Sequence, residues 1–231
     1  MIDKPAIVLV HGFWGGAAHW ANVIVELNKR GYDRIHAVEN PLTSLADDAE
    51  RTRKMINQVA GPVVLVGHSY GGAVITEAGS LPNVTALVYI AAFAPDTGES
   101  PGRISEQMPP AGFDSIVPDS DGYLWIKKED FHQTFCQDLG ADEALVMAVT
   151  QKAPVASTFG DTVTAPAWRA KPSWYQVSTQ DHAIHPDNQR RMAQRMNPRK
   201  VVELDASHAS LASRPEDVVN LIEDAVNATT G

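Results

Sequence analysis

Gly67-His68-Ser69-Tyr70-Gly71 sets a serine between two glycines directly after the apolar run 63–66, the pattern of a nucleophile elbow. There a sharp strand-to-helix turn holds the serine Oγ clear of a sheet, and small neighbours leave room for a strained backbone. A serine hydroxyl is a weak nucleophile at neutral pH. It needs an imidazole within hydrogen-bond reach, and that imidazole needs a carboxylate to hold its tautomer and stabilise the imidazolium. Two residues downstream have the right types. Asp181 follows an apolar run in "SWYQVSTQDHAI", and His208 follows another in "KVVELDASHAS". Asp205, three residues before His208, is a rival acid, but its place at the end of its own run suits an orienting role less well.

The elements that must position these groups alternate along the chain. Residues 6–10 read as a strand closed by His11-Gly12, residues 18–29 as a helix and residues 34–38 as a short strand. A polar helix over 45–59 carries Asp47, Asp48 and Glu50 early and Arg51, Arg53 and Lys54 late, the order its dipole favours. A strand over 63–66, a helix over 71–80 and a strand over 84–93 follow. Near-continuous apolar strands separated by helices indicate a parallel sheet covered on both faces. The rhythm breaks over 95–172, which is rich in Pro and Gly with only weak helical stretches at 128–135 and 142–149. That is too long for a loop and reads as an inserted cap. Strands over 174–177 and 200–204 and helices over 187–196 and 215–226 resume the pattern, with Pro215 suited to a first helical turn. The expected domains are a core of residues 1–94 and 172–231 with a cap of residues 95–171.

Composition narrows the class. The 231 residues are 44% hydrophobic and 20% charged, ordinary for one large globular domain. A formal net charge of −9 argues against nucleic acid or an anionic membrane as partner, since both call for a basic face. Cys136 is the only cysteine, so no intrachain disulfide can form, and it reads as a small packed hydrophobe. No signal-peptide core and no run of membrane-spanning length stands out, so the expected location is cytoplasmic and the expected state a monomer or homodimer. The sequons at Asn83 and Asn227 are then chance matches. His182 and His185 cluster with Asp181 but lack an H-E-x-x-H pattern, so no metal site is expected, and His182 is placed at the pocket mouth. His68 neighbours the serine on a strand and points to the opposite face, which makes it structural.

In a parallel sheet functional residues gather at the carboxyl ends of strands, where Ser69, Asp181 and His208 all fall. Their order along the chain is that of α/β-hydrolases and not of chymotrypsin-like or subtilisin-like proteases. The sequence resembles the α/β-hydrolase superfamily over nearly its whole length. More narrowly it resembles the small-cap family of plant methyl esterases, the salicylate-binding methylesterase and the hydroxynitrile lyases. The likeness rests on "VLVHGFWGGAAHW" at 8–20, "LVGHSYGG" at 65–72 and "FAPDTGES" at 93–100, with "KPSWYQVSTQDHAIHP" at 171–186 and "ELDASHASLASRPEDV" at 203–218. The stretch between about 101 and 168 matches only loosely apart from Trp125, so no substrate is implied.

This resemblance implies an α/β-hydrolase fold, a mostly parallel sheet flanked by helices, with an inserted cap subdomain. It also implies an oxyanion hole made by the backbone N–H groups of Phe13 and Tyr70, His11 packed beneath that loop, and no cofactor. Phe13, Tyr70 and Trp125 are the aromatic side chains picked to contact substrate. The activity expected is hydrolysis of small, largely apolar carboxylic esters, with Ser69, His208 and Asp181 as catalytic residues. Rival readings on the same scaffold are a lactonase, an amidase, a perhydrolase, a hydroxynitrile lyase, or a small-molecule receptor with weak hydrolysis. In the lyases of this family a lysine directly follows the catalytic histidine, whereas Ala209 stands there in this chain, and His11-Gly12-Phe13 is the esterase-like form of the oxyanion loop.

Overall fold

Because both faces of a buried parallel sheet meet helices, its strands can be apolar at every position, and the computed structural model, which describes residues 4–229, bears this out. The chain runs β1 (Ala6–Val10), α1 (Ala21–Lys29), β2 (Ile35–Val38), α2 (Leu45–Gln58), β3 (Val63–His68), α3 (Gly71–Ala78) and β4 (Val84–Ile90). An insertion follows, with α4 (Pro101–Gln107), the hairpin strands β5 (Ile116–Pro118) and β6 (Leu124–Ile126), α5 (Phe131–Phe135) and α6 (Ala141–Thr150). It closes with β7 (Ser173–Ser178), α7 (Pro186–Met196), β8 (Lys200–Leu204), α8 (Ser210–Ser213) and α9 (Pro215–Asn227).

Six strands form one sheet in the order β2-β1-β3-β4-β7-β8, every neighbouring pair parallel. Alternate side chains serve opposite faces. Val8, Val10, Leu65, Leu87 and Tyr175 join one apolar core with α2, α3, α7 and the insertion. Ile7, Leu9, Val64, Val66, Val88 and Trp174 join the other with α1 and α9. The chain steps from β1 to one side to make β2, then to the other to make β3. The carboxyl ends of β1 and β3 therefore border the crevice where an open sheet of this kind places its ligands.

Local signals account for the helix ends. The Ser44 hydroxyl accepts the Asp47 N–H at 3.1 Å to start α2, and the Ser100 hydroxyl does the same for Arg103 at 3.3 Å to start α4. Pro186 and Pro215 occupy first turns. The helix expected over 18–29 opens as a 3-10 turn at Ala17–Trp20, and the strand expected over 84–93 stops at Ile90, because Ala91 turns the chain with φ 43°. The two weak helical stretches of the insertion are α5 and α6. Its α4 and its hairpin lie outside the sequence expectation, since three-residue strands carry no readable alternation.

Candidate active site

The elbow is strained as its sequence implies. Ser69 has φ 57°, in the left-handed region, where a non-glycine residue typically costs about 1–3 kcal/mol. The strain persists because the turn is held on both sides: Ser69 N–H donates to the Ile90 carbonyl at 3.2 Å and its carbonyl accepts from Gly72 and Phe93. The β1 loop presses equally close. A Cβ at Gly12 would lie 2.5 Å from Ser69 Cβ and 2.9 Å from Ser69 Oγ, so this position has no space for a side chain.

Ser69, Asp181 and His208 come together. His208 Nε2 lies 2.8 Å from Ser69 Oγ, and its Nδ1 lies 2.7 Å from Asp181 Oδ2. The carboxylate has no proton to give, so Nδ1–H donates to it and Nε2 is left as the acceptor for the serine hydroxyl. Asp181 is buried with every acceptor direction used. Its Oδ1 takes the N–H groups of Ala183 and Ile184, both at 2.8 Å, and its Oδ2 takes Gln189 Nε2 at 2.8 Å besides the imidazole. Gln189, from α7, is locked in turn by accepting Ser178 N–H through its Oε1 at 3.0 Å. A glutamine in a helix gives no sequence signal for this.

The loop that carries His208 is fastened from three directions. His68 Nε2–H donates to the His208 carbonyl at 2.8 Å, with the two rings 4.7 Å apart. Asp138 Oδ2 accepts Ser207 N–H at 2.9 Å, and the Phe135 carbonyl accepts Ala209 N–H at 3.1 Å. Burial alone would raise the Asp138 carboxyl pKa, but its hydrogen bonds, to Ser207 first and also to Ser213, together outweigh that and lower it. The insertion reaches the acid's loop too: Gln137 Nε2 donates to the Gln180 carbonyl at 2.6 Å, and Gly112 N–H to the His182 carbonyl at 2.8 Å.

At three further histidines, His11, His19 and His68, burial favours the neutral imidazole. His68 sits in line with Val64 and Val66, facing Trp20, and burial pushes its pKa well down. His11 is buried beneath the β1 loop, accepting Asn40 N–H through Nε2 at 2.9 Å and donating Nδ1–H to the Gly12 carbonyl at 2.8 Å, and burial lowers it as well. His19 is pushed down to about 4 by burial. Cys136 is buried, its thiol pushed up to about 12 by desolvation. Asp205 is exposed, with Arg214 bound to its backbone carbonyl. Among the described residues no group of three His, Cys, Asp or Glu side chains is gathered closely enough to hold a metal ion.

Ser69 opens onto a cavity of about 490 Å³ whose walls are largely apolar, including Phe13, Phe93, Ile116, Leu124, Phe159 and Ile184. The N–H groups of Phe13 and Tyr70 find no protein acceptor among the described residues, which leaves both free for a ligand oxygen. Of the three aromatic side chains picked for substrate contact, Phe13 lines the cavity and two need correction. Tyr70 is fully buried behind Phe13, its ring stacked at 3.9 Å and its hydroxyl donated to Asp48 Oδ2 at 2.7 Å. Asp48 also accepts Leu42 N–H at 2.8 Å, and burial raises its carboxyl to about 6 against those bonds. Trp125 is 38% exposed, its indole N–H held by Asp119 Oδ2 at 2.8 Å. On a hairpin strand successive side chains face opposite ways, so it is Leu124 that meets the cavity and Trp125 that turns out. His182 likewise bonds the Gln133 carbonyl through Nδ1 and leaves the lining to Ala183 and Ile184.

Comparison with known proteins agrees with this architecture. A family model described as the alpha/beta hydrolase family matches residues 7–221. Alpha/beta hydrolase nvfD of Aspergillus novofumigatus is 32% identical, the alignment covering 96% of each chain. Methylesterase 8 of Arabidopsis thaliana is 27% identical over 92% of this chain and 86% of its own. Among solved structures, a pyrethroid hydrolase from Sphingobium faniae superposes with a TM-score of 0.81 at 23% identity, covering 97% of this chain and 98% of that one.

Proposed function

The chain belongs to the α/β-hydrolase family, and from that membership we propose that it is a serine hydrolase of small, largely apolar carboxylic esters with Ser69 as its nucleophile. One observation carries the assignment. Ser69 Oγ is 2.8 Å from His208 Nε2, the imidazole nitrogen that Asp181 does not engage, at the wall of an apolar cavity of about 490 Å³. His208 takes the serine proton as Oγ attacks the ester carbonyl, and Asp181 stabilises the imidazolium. The N–H groups of Phe13 and Tyr70 receive the oxyanion, each such donor typically being worth roughly 3–4 kcal/mol. His208 then passes the proton to the departing alcohol. Water, deprotonated by the same imidazole, cleaves the acyl-enzyme to the carboxylic acid and restores the serine.

A relative's name supports the ester as substrate class, since a methylesterase aligns over 92% of this chain. Cyanohydrin cleavage is disfavoured, because departing cyanide benefits from a fixed cation. Buried Ala209 follows His208, and no Lys or Arg is among the cavity's lining residues. The reading extends to organisation: residues 95–171 act as a cap over a core of residues 1–94 and 172–231, supported by the cavity's drawing its walls from both. A cytoplasmic setting is proposed on the single, buried Cys136. Among the described residues no helix is long and apolar enough to cross a membrane.

A fluorophosphonate probe and a panel of p-nitrophenyl and methyl esters test the assignment. Labelling of Ser69 alone, with ester turnover abolished in Ser69→Ala, supports it. Labelling elsewhere, or full activity in that variant, overturns it.

A further inference from the structure

The cavity beside Ser69 is apolar with one exception. Among its lining residues Glu106 alone is ionisable. It stands in the last turn of α4, exposed on its outer side. The two acids that precede α4 are ion-paired: Asp96 with Arg169 at 2.6 Å and Glu99 with Arg195 at 2.8 Å. Glu106 has neither an ion pair nor a hydrogen bond among the described residues, and Arg103, one turn earlier on α4, does not pair with it. An unpaired carboxylate is thus placed at the rim of a low-dielectric chamber, where field lines are focused and no cation answers it.

That placement has a chemical consequence for an ester hydrolase. The substrate carbonyl is neutral on arrival, while the acid product leaves as an anion. A fixed negative charge ignores the first and repels the second, and it draws in a cationic substituent. Resting on the esterase reading above, we propose that Glu106 is a specificity-determining residue that biases the cavity toward cationic and neutral esters, disfavours esters bearing a free carboxylate, and speeds departure of the acid product.

The test compares matched p-nitrophenyl esters whose acyl chains end in a tert-butyl group, its trimethylammonium isostere, or a carboxylate. In Glu106→Gln the kcat/KM ratio of cationic to neutral ester should fall about three-fold and that of anionic to neutral rise by a similar factor, the scale of one partly solvated charge pair. Both changes should fade at about 1 M salt, where the screening length is about 3 Å. Inhibition by the product carboxylate should tighten relative to its neutral amide. Glu216→Gln, on α9 against the opposite face of the sheet, removes the same net charge and should leave the ratios where they are. Ratios unmoved in Glu106→Gln, or moved equally in Glu216→Gln, overturn the proposal while the esterase reading stands. No turnover of any ester by the native protein overturns the reading itself.

Discussion

Replacing Gly12 by alanine should cripple the chemistry and spare the fold. The added Cβ would sit 2.5 Å from Ser69 Cβ and 2.9 Å from Ser69 Oγ, where ordinary contact begins near 3.4 Å. Relief therefore requires a movement of about 0.9 Å. Only two things can move. If the β1 loop retreats, it carries the Phe13 N–H away from the oxyanion. If Ser69 retreats, the nucleophile leaves a turn already strained at φ 57° and a 2.8 Å bond to His208. Either way the displacement falls on a reacting group. A misplacement of about 1 Å, or the loss of one oxyanion donor, costs roughly 10²-fold or more in rate. Substrate is held chiefly by apolar walls that this change does not touch, so kcat should drop about 10²-fold with KM little altered. Steady-state kinetics on a small ester, with a thermal melt as control, measures both. A kcat within about three-fold of the native value in a folded Gly12→Ala would refute the reasoning, showing that the loop has slack or that Phe13 N–H takes no part.

Asp181→Asn should lower kcat by roughly 10⁴, the cost of the same exchange in a studied triad, while exposed Asp205→Asn changes it less than two-fold or so; the reverse ranking moves the acid onto the β8 loop. Leu124→Ala should reorder the preference for acyl chain length, and Trp125→Ala should not, as a panel of esters of graded length will tell. Asp48 titrates at about 6 when folded against an ordinary 3.8, so between those values the folded chain holds the extra proton and Asp48 makes stability fall as pH rises, by at most about 3 kcal/mol. His11, His19 and His68, with lowered pKa values, act in the opposite sense, so the quantity to follow is native minus Asp48→Asn stability in urea at pH 4 and pH 7. That difference should shrink at the higher pH; parallel behaviour of the two proteins would dismiss the buried charge.

The parts of this site that could be read from sequence are those where one residue type has one job at one kind of place. Serine in an elbow, and Asp181 and His208 past their own apolar runs, need no knowledge of their neighbours. The β1, β3 and β4 runs were legible for a similar reason, because burial on both faces leaves almost no polar interruption. Gln189, Asp138 and Asp48 were not. Each acts on a group brought near by the tertiary fold, through the Asp181 carboxylate, the Ser207 amide and the Tyr70 hydroxyl respectively. Trp125 shows the same limit from the other side. An aromatic beside an apolar cavity is a reasonable choice of contact, yet which face of a three-residue strand turns inward is set by its partner strand.

The ties from Phe135, Asp138 and Gln137 to the loops of His208 and Asp181 bear on how such enzymes can be recombined. A chimera that takes residues 95–171 from a relative exchanges not only the walls of the cavity but the anchors of the base and the acid. Such a transplant will retain its geometry only if the donor brings an acceptor for the Ser207 and Ala209 amides in the same register. Diversification of specificity is correspondingly freer in α4 and the hairpin, which line the cavity, than in the α5 end of the insertion.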